Sequence, residues 1–382
     1  MKIILISFFD SYNLGDLLIS KNIFDSLKGH TVIPFDFPTA KRVGKISTSV
    51  NREQPPAIKK ACALKRFCAE IYCWLALTLK KEIWQSYRNA LKDSDMVIIG
   101  GGNLIMDIGY APCYTYLLYR YIKIAGQYGK KARVLSVGVG PFNNFFQSLY
   151  ARIALNKCEY IGVRDSYSLN QCEKLRIKIK AVRTADAAFA LENPECKKEK
   201  THKIGLCLAN FLCVSDFCSE KTYFSLSAKL IELLSQSFSN YDIEVFSTEK
   251  RDYITIENIF EAYDFSDNVK IKRIYSLSEA IDFYKQQDFV VGMRMHSLII
   301  AMLCHIPCFG IGWQKKVDSL FDISHGTDRC TDFIRLLKAP EAFVKYIFDK
   351  TKDMDAITAQ QDEFIIECRE MYEKQISDIL KQ

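Results

Sequence analysis

The 382-residue sequence lacks a run of apolar residues long enough to cross a membrane. A spanning helix needs roughly 18 or more consecutive apolar residues, and the nearest candidate, residues 67–79, is interrupted by Glu70. Dense basic runs are also missing. The net charge of +7 is mild for this length and argues against nucleic acid as a partner, but it favours an anionic ligand or an anionic membrane surface nearby.

The 14 cysteines form no CxxC pair, so the spacing of common zinc sites and of thioredoxin-like redox centres is absent. Cys304, His305 and Cys308 are close in sequence, but two thiols and one histidine make a weak metal site, and we interpret them as packing residues. We therefore expect no metal and no bound cofactor. Scattered free thiols are typical of a reducing compartment, which predicts a cytoplasmic protein, with association at the inner face of a membrane left open.

The dinucleotide-binding fingerprint GxGxxG is absent too, although glycine-rich loops are present. Glycines follow strand-like runs in NLGD at 13–16, GGGN at 100–103 and GVGP at 138–141. Such loops let backbone amides approach an anionic ligand, yet none has the spacing that opens a helix beneath a pyrophosphate. A nucleotide-binding dehydrogenase is therefore disfavoured.

What the sequence does contain is a repeated alternation of β-branched runs with helical patterns, which predicts doubly wound parallel sheets. A charged, polar stretch near 192–203 is typical of a linker. We predict an α/β protein of two Rossmann-like domains facing a cleft: residues 1–195, with a helical insert at about 52–92, and residues 202–355. A helix over 356–382 carries an apolar stripe and is expected to pack back across the junction.

Ligands of open α/β sheets bind at the carboxyl ends of the strands, so the side chains at those ends are the candidate site. Asn13 and Asp16 follow the first strand, and we expect Asp16 to cap the next helix. Arg164 and Asp165 follow a later strand, and the segment TADAAFAL contributes Asp186. Either a surface ion pair or a guanidinium facing the cleft is consistent with Arg164.

The stretch DFVVGMRMH at 288–296 places two ionisable groups at the end of an apolar run. We predict a strand through His296, so that Arg294 and His296 project to the same side. The following helix has Ser297 near its N-terminus, where amides and the helix dipole favour an anion. Lys315 and Lys316 follow the next strand, and either is expected to reach the same volume.

Residues 57–81 form a helical pattern rich in aromatic residues, with lysine or arginine at both ends. Such a helix can lie on an anionic membrane surface, form a lid over the cleft, or pack in the core. The sequence leaves all three open, and the first makes peripheral membrane contact an expectation for this segment.

Together these motifs resemble those of the polysaccharide pyruvyl transferase family, and the likeness covers most of the chain. The stretches that carry it are NLGD at 13–16, GGGN at 100–103, GVGP at 138–141, VRDSYS at 163–168, ADAAF at 185–189, GMRMHS at 292–297 and KKV at 315–317. The R-x-H element with its downstream lysine is the most specific of them. The resemblance implies a two-Rossmann, GT-B-like fold and the transfer of a pyruvyl group from phosphoenolpyruvate to a sugar, forming a ketal.

The resemblance also implies roles for individual residues. His296 is expected to protonate the methylene carbon of phosphoenolpyruvate, and Arg294 to stabilise the departing phosphate. The expected donor contacts are Arg164, Lys316, Lys315, Ser297 and Gly138. The expected acceptor contacts are Asn13, Asp16, Gly101, Gly102 and Asn103, with Tyr110 as a further candidate. The acceptor is expected to be a sugar of a cell-surface polysaccharide or exopolysaccharide, or of its lipid-linked precursor.

Two other functions remain open. Glu249 and Glu257 have the E-x7-E spacing of retaining glycosyltransferases that use nucleotide sugars, although chance explains such a pair among 45 acidic residues. The second alternative is a non-catalytic carbohydrate-binding protein on the same fold. The presence of Arg294, His296 and Lys316 argues against lost activity.

Overall fold

The computed structural model describes residues 1–50, 63–107, 113–142, 144–192 and 200–381. Three sequence predictions lie partly or wholly outside these residues: the acceptor candidate Tyr110, the beginning of the insert and most of the linker. No helix among the described residues is both long enough and apolar enough to span a membrane.

The first half of the chain forms one parallel sheet flanked by helices. Its strands are β1 (Lys2–Ser7), β2 (Thr31–Asp36), β3 (Met96–Gly100), β4 (Ala132–Val137), β5 (Cys158–Val163) and β6 (Val182–Arg183). Its helices are α1 (Leu14–Ser26), α2 (Ala63–Leu79), α3 (Gln85–Lys92), α4 (Tyr114–Gln127), α5 (Phe145–Leu155) and α6 (Ser166–Lys174). The strand order is β2-β1-β3-β4-β5-β6.

The second half forms a second parallel sheet. Its strands are β7 (Lys203–Cys207), β8 (Asp242–Phe246), β9 (Val269–Ile271), β10 (Phe289–Gly292), β11 (Cys308–Gly312) and β12 (Cys330–Asp332), in the order β12-β11-β10-β7-β8-β9. Its helices are α7 (Glu220–Ser237), α8 (Asp252–Ala262), α9 (Leu277–Tyr284), α10 (Met295–Leu303), α11 (Lys315–Ile323), α12 (Phe333–Lys338) and α13 (Pro340–Lys350), before the long α14 (Met354–Lys381). The predicted α/β fold of two Rossmann-like units is confirmed.

Both sheets have a point where the strand order reverses, which is where open α/β sheets bind their ligands. In the first sheet this point lies between β1 and β3, and in the second it lies between β7 and β10. The loop after β1 joins the two halves directly, because Leu14 N donates to Thr248 O (2.8 Å) and Lys250 N donates to Tyr12 O (2.9 Å). The loops that leave the first and second sheets are therefore held against one another.

Two helices connect the halves through the core. All nine residues of α10 are buried, and the helix packs against α1 and α14 in an apolar cluster that draws on both sheets. The first part of α14 holds the second half through Gln361, whose Nε2 donates to Ile306 O (3.1 Å). Its later part reaches the first half, where Ser136 Oγ donates to Gln375 Oε1 (2.8 Å). The predicted packing of the C-terminal helix across the junction is confirmed.

The prediction of a strand through His296 is wrong. β10 ends at Gly292, Arg294 is the N-cap of α10, and His296 lies in the first turn of that helix. Arg294 keeps an extended backbone (φ −103°, ψ 121°), so the local pattern resembles a strand up to the point where the helix begins. The two side chains do not share the face of a strand.

Candidate active site

His296 and Asp186 meet across the two halves of the chain. Nε2 of His296 lies 3.7 Å from Oδ2 of Asp186, slightly beyond hydrogen-bonding distance. Asp186 follows β6, and its Oδ1 accepts from Ala188 N (2.9 Å), which fixes the carboxylate at the start of a short 3₁₀ turn. Both side chains are buried. The ring of His296 is thus presented at the junction with one nitrogen facing a carboxylate.

Arg164 holds the other side of the same carboxylate. Its Nη1 donates to Asp186 Oδ2 (3.0 Å), its Nη2 to Asn103 Oδ1 (2.6 Å) and its Nε to Asp165 Oδ2 (3.3 Å). The guanidinium is buried, so the sequence alternative of a surface ion pair does not apply. Burial alone raises the pKa of Asp186, but the contact with His296 and the charge of Arg164 lower it to about 2.

Gly138 explains how Asn103 and Arg164 come together. A Cβ at position 138 would lie 2.1 Å from Asn103 Oδ1 and 3.1 Å from Arg164 Nη2. Only glycine leaves room for these two side chains beside the backbone after β4. Gly138 therefore shapes the predicted donor site through the space it leaves.

The start of α1 forms the wall opposite His296. Asn13, not the predicted Asp16, is the N-cap: its Oδ1 accepts from Gly15 N (2.8 Å), because the helix begins two residues earlier than expected. A Cβ on Gly15 would lie 2.0 Å from His296 Nδ1, so the imidazole packs directly on the glycine backbone. The NLGD motif thus supplies both the cap and the space for the ring.

Asp16 does not cap the helix, and its side chain faces the site. Its Oδ2 accepts from Ser11 Oγ (3.0 Å). Burial raises the pKa of this carboxyl, while the charges of His296 and Lys316 act in the opposite direction. Gly101 and Gly102 have positive φ (78° and 66°), and a Cβ on Gly102 would lie 3.4 Å from Asp16 Oδ1. The predicted acceptor residues of these two loops therefore adjoin one another.

The side chain of Arg294 pairs with a carboxylate of the second half and does not contact His296. Its Nε donates to Asp252 Oδ2 (2.9 Å), its Nη2 contacts Asp252 Oδ1 (2.5 Å), and its guanidinium lies 5.9 Å from the centre of the Trp313 ring. Asp252 has no exposed surface. Arg294 is therefore half of a buried bidentate ion pair inside the second half of the chain, a partner that the sequence did not indicate.

The two lysines after β11 differ in position. Lys315 is exposed, and its Nζ lies 3.7 Å from Asp318 Oδ2. Lys316 lines a cavity between the sheets together with Arg164 and Asp186. Burial and the charges of Arg294 and Arg164 lower the pKa of Lys316 to about 8. Of the two predicted donor lysines, Lys316 adjoins the site.

Ser297 contributes no free hydroxyl, because its side chain is buried and shares a hydrogen bond with Tyr284 Oη (2.7 Å). Ser297 nevertheless lies in the first turn of α10, and the N-terminus of that helix is at the junction. The close triplet of Cys304, His305 and Cys308 lies elsewhere, with both thiols buried and His305 Nδ1 2.7 Å from Asp362 Oδ1.

Polar atoms without partners gather at this junction. Among the described residues, several buried side-chain atoms make no hydrogen bond, and four of them belong to the loop after β8 and the start of α10: Thr248 Oγ1, Glu249 Oε1, Arg251 Nε and His296 Nε2. Buried polar groups are normally paired, so a cluster of unpaired ones indicates a ligand site.

Glu249 belongs to this cluster and was considered in the sequence only for its E-x7-E spacing. Burial and the neighbouring Asp252 raise its pKa to about 7, against the charges of Arg294 and Arg251. Its backbone pairs with Asn13 across the junction. Glu257 instead forms an exposed ion pair with Arg273 (2.7 Å), so the two glutamates differ in environment.

Comparisons with solved structures give the fold. The chain resembles a glycotransferase of kitacinnamycin (TM-score 0.59, 11% identity, covering 100% of this chain and 98% of that one). It also resembles the spinosyn rhamnosyltransferase SpnG complexed with thymidine diphosphate (0.57, 12%, 100% of each chain) and the UDP-GlcNAc 2-epimerase of Methanocaldococcus jannaschii (0.56, 10%, 92% and 93%). These likenesses identify a GT-B-like fold.

The search of curated proteins finds no match. The family model described as polysaccharide pyruvyl transferase matches residues 13–315, from the Asn13 cap to Lys315, the residue before Lys316. That span covers most of the chain and contains Asn103, Arg164, Asp186 and His296, and the chain accordingly belongs to the polysaccharide pyruvyl transferase family.

Proposed function

We propose that this protein transfers the pyruvyl group of phosphoenolpyruvate to a sugar of a cell-surface polysaccharide or exopolysaccharide, or of its lipid-linked precursor, and forms a pyruvate ketal. Membership of the family supports a transferase that acts on polysaccharide. The donor, the ketal and the residue roles are our inference from the charges and contacts at the junction.

One observation carries the choice of donor: the charge environment of Lys316. The carboxylates of Asp186 and Asp252 already neutralise Arg164 and Arg294 in part, yet the two guanidinium groups still contribute to lowering the pKa of Lys316 to about 8. A mutual repulsion therefore remains between the positive charges of Lys316, Arg164 and Arg294. A small trianion that carries a carboxylate and a phosphate relieves it.

His296 is the proposed general acid. A sugar hydroxyl forms a bond to C2 of phosphoenolpyruvate while the double-bond electrons take a proton from His296 at C3, which converts the methylene into a methyl group. Asp186, 3.7 Å from Nε2, offers a counter-charge to the protonated ring. Asp186 stays ionised over the neutral pH range because its pKa is about 2.

The second half of the reaction breaks the bond between C2 and the phosphate oxygen. Phosphate leaves with the electron pair towards Lys316, and a second hydroxyl of the same sugar attacks C2 to close the ketal. Of the two hydroxyl protons released, one replaces the proton that His296 gave to C3 and the other leaves with phosphate or solvent. Asp16 is the proposed acceptor-side base, because burial raises its pKa towards that of a working base.

The test compares ligand classes. Phosphoenolpyruvate is expected to raise the Tm of the protein in a thermal-shift titration, since a ligand that binds only the native state stabilises it, and to release phosphate when an acceptor sugar is supplied. UDP- and GDP-sugars are titrated in the same way, because they are the donors that the glycosyltransferase alternative requires. Stabilisation by nucleotide sugars alone would assign the protein to the glycosyltransferase alternative and overturn the proposal.

A further inference from the structure

Helix α2 turns its apolar face to the solvent. Six large apolar side chains of this helix are exposed, with relative accessibilities from 40% to 69%: Phe67, Ile71, Tyr72, Trp74, Leu75 and Leu79. The one acidic residue between positions 67 and 79, Glu70, instead faces the protein, where its Oε2 accepts from Asn144 Nδ2 (2.9 Å). Surface helices normally have the opposite polarity.

The same surface continues onto α5. Phe145 and Phe146, the first residues of α5, are 72% and 57% exposed and follow directly on Asn144, the partner of Glu70. We call these eight side chains of α2 and α5 the apolar patch. Monomeric soluble proteins rarely expose a contiguous set of this kind, and when they do it marks an interaction surface.

Basic residues occur in the sequence at both ends of α2. Lys65 and Arg66 occupy the first turn of the helix, and the exposed Lys80 and Lys81 follow its last residue, with Glu82 as the single acid beside them. A second copy of the chain packed on the patch, in either direction, would bring basic ends against basic ends. An anionic lipid surface complements this arrangement, since it takes apolar side chains and attracts lysines and arginines.

The apolar patch also lies at a functional edge of the first sheet. α2 is fixed to the first turn of α4 through Thr78, whose hydroxyl is 2.6 Å from Tyr116 Oη, and to the second turn of α5 through Trp74, whose Nε1 donates to Tyr150 Oη (3.1 Å). Those helices follow the loops after β3 and β4 that contain Asn103 and Gly138. A partner surface bound to the apolar patch would therefore place the molecules that it carries near the acceptor side of the junction.

We propose that the apolar patch docks the protein on an anionic lipid bilayer, with α2 lying along the interface and its apolar side chains inserted among the lipids. The exposure of these eight side chains argues against the sequence alternative of a core helix. The proposal does not depend on the transfer reaction, because it rests on a surface that contains none of the catalytic candidates.

The test uses the full chain without phosphoenolpyruvate or acceptor, so its outcome is independent of the proposed activity. Flotation is compared on vesicles of phosphatidylcholine alone and of phosphatidylcholine mixed with phosphatidylglycerol. We expect binding to the anionic vesicles. The double variant Tyr72→Gln with Leu79→Gln is expected to lower the partition coefficient at least about tenfold, because two large apolar side chains are lost from the interface.

Two further variants complete the design. Lys80→Glu with Lys81→Glu is expected to remove most of the preference for anionic over neutral vesicles, an effect that added salt reproduces in the unmodified protein. The matched control, Ile254→Gln with Ile366→Gln, changes two apolar residues on α8 and α14 that are also more than half exposed and is expected to bind like the unmodified chain. Unchanged circular dichroism establishes that each variant is folded.

Three results would overturn the proposal. The first is no flotation of the unmodified protein with anionic vesicles. The second is an equal loss of binding in the control pair. The third is a dimer in size-exclusion chromatography that the patch variant dissociates, because that result assigns the apolar patch to a second copy of this chain.

Discussion

Oδ2 of Asp186 lies 3.7 Å from Nε2 of His296, and through this contact the last loop of the first sheet meets the first turn of α10. The same oxygen accepts from Arg164. A single carboxylate therefore faces the proposed acid and accepts a hydrogen bond from the nearest guanidinium.

Replacement of that carboxylate tests its contribution to stability. The pKa of Asp186 is about 2 in the folded protein against 3.8 for an unperturbed aspartate, so its ionised form stabilises the fold above pH 4 and this contribution is lost as pH falls towards 2. We expect Asp186→Asn to lower the free energy of unfolding by about 2 kcal/mol at pH 7. Urea unfolding should show the difference shrinking towards pH 2, and a constant difference would contradict it.

His296 is tested by its removal. We expect His296→Ala to lower the rate of phosphate release from phosphoenolpyruvate in the presence of acceptor by roughly 100-fold to 10,000-fold, the usual contribution of a general acid. Circular dichroism should show that the variant is folded, since Nε2 of the ring makes no hydrogen bond within the described residues. His30→Ala, at the far end of α1, is the control. Unchanged turnover would remove His296 from the acid role.

The adjacent lysines form a natural pair of variant and control. Lys316→Met is expected to raise the KM for phosphoenolpyruvate by at least about tenfold, because an ammonium facing the donor is lost. Lys315→Met should leave KM unchanged, since Lys315 is exposed and paired with Asp318. Equal effects of the two substitutions would show that neither lysine is specific to the donor.

The same lysine predicts a pH dependence. Because the pKa of Lys316 is about 8, its charge is present below pH 8 and is lost above it. The value of kcat/KM for phosphoenolpyruvate, which reports the free enzyme, should therefore fall as pH rises through about 8. Lys316→Arg keeps its charge across this range, so any activity it retains should show no such fall. A fall that persists in this variant assigns the titration to another group.

Gly15 is expected to be required for the position of His296. A Cβ at this residue would lie 2.0 Å from Nδ1 of the ring, so Gly15→Ala must displace it. Misplacement of a catalytic group by an ångström costs roughly 100-fold in rate, and we expect a loss of that size in kcat/KM. Gly44→Ala, where the added Cβ meets nothing within 4 Å, is the matched control. A fully active Gly15→Ala variant would contradict the packing.

The sequence predicts the architecture well because parallel, buried strands leave continuous apolar runs between helical patterns. The central strands and α14 lie where those patterns place them. The short edge strands β6, β9 and β12, of two or three residues each, were not predicted because they are too brief to leave a pattern. The start of α10 was not predicted correctly, because the extended backbone of Arg294 continues the strand-like run up to the helix.

The sequence predicts which loops form the site, but not which side chains pair with one another. Glycines and ionisable residues at strand ends indicate where a ligand binds, because strand ends converge in any parallel sheet. Which residues pair depends on how the two sheets face one another, and Asp186 with His296, or Arg294 with Asp252, are far apart in sequence. Glu249 was missed for the same reason: its backbone pairs with Asn13 of the other half.

Substitutions at Arg294 can distinguish an effect on the stability of the fold from an effect on donor binding. The sequence alone predicts that Arg294→Ala mainly weakens donor binding. The buried ion pair with Asp252 adds a second effect, because removal of one partner leaves an uncompensated charge in the interior. We expect a loss of about 3 kcal/mol or more in the free energy of unfolding for Arg294→Ala, measured by urea denaturation.

A second substitution distinguishes the two effects. Asp252→Asn combined with Arg294→Ala removes the stranded charge, and its amide oxygen can still accept from Asn210 N, now 2.8 Å from Asp252 Oδ1. We expect the double variant to recover most of the lost stability. If Arg294 also holds the donor, the KM for phosphoenolpyruvate remains raised in the stable double variant. Recovery of both quantities would show that Arg294 serves only to stabilise the second sheet, and donor binding would then rest on Lys316 and Arg164.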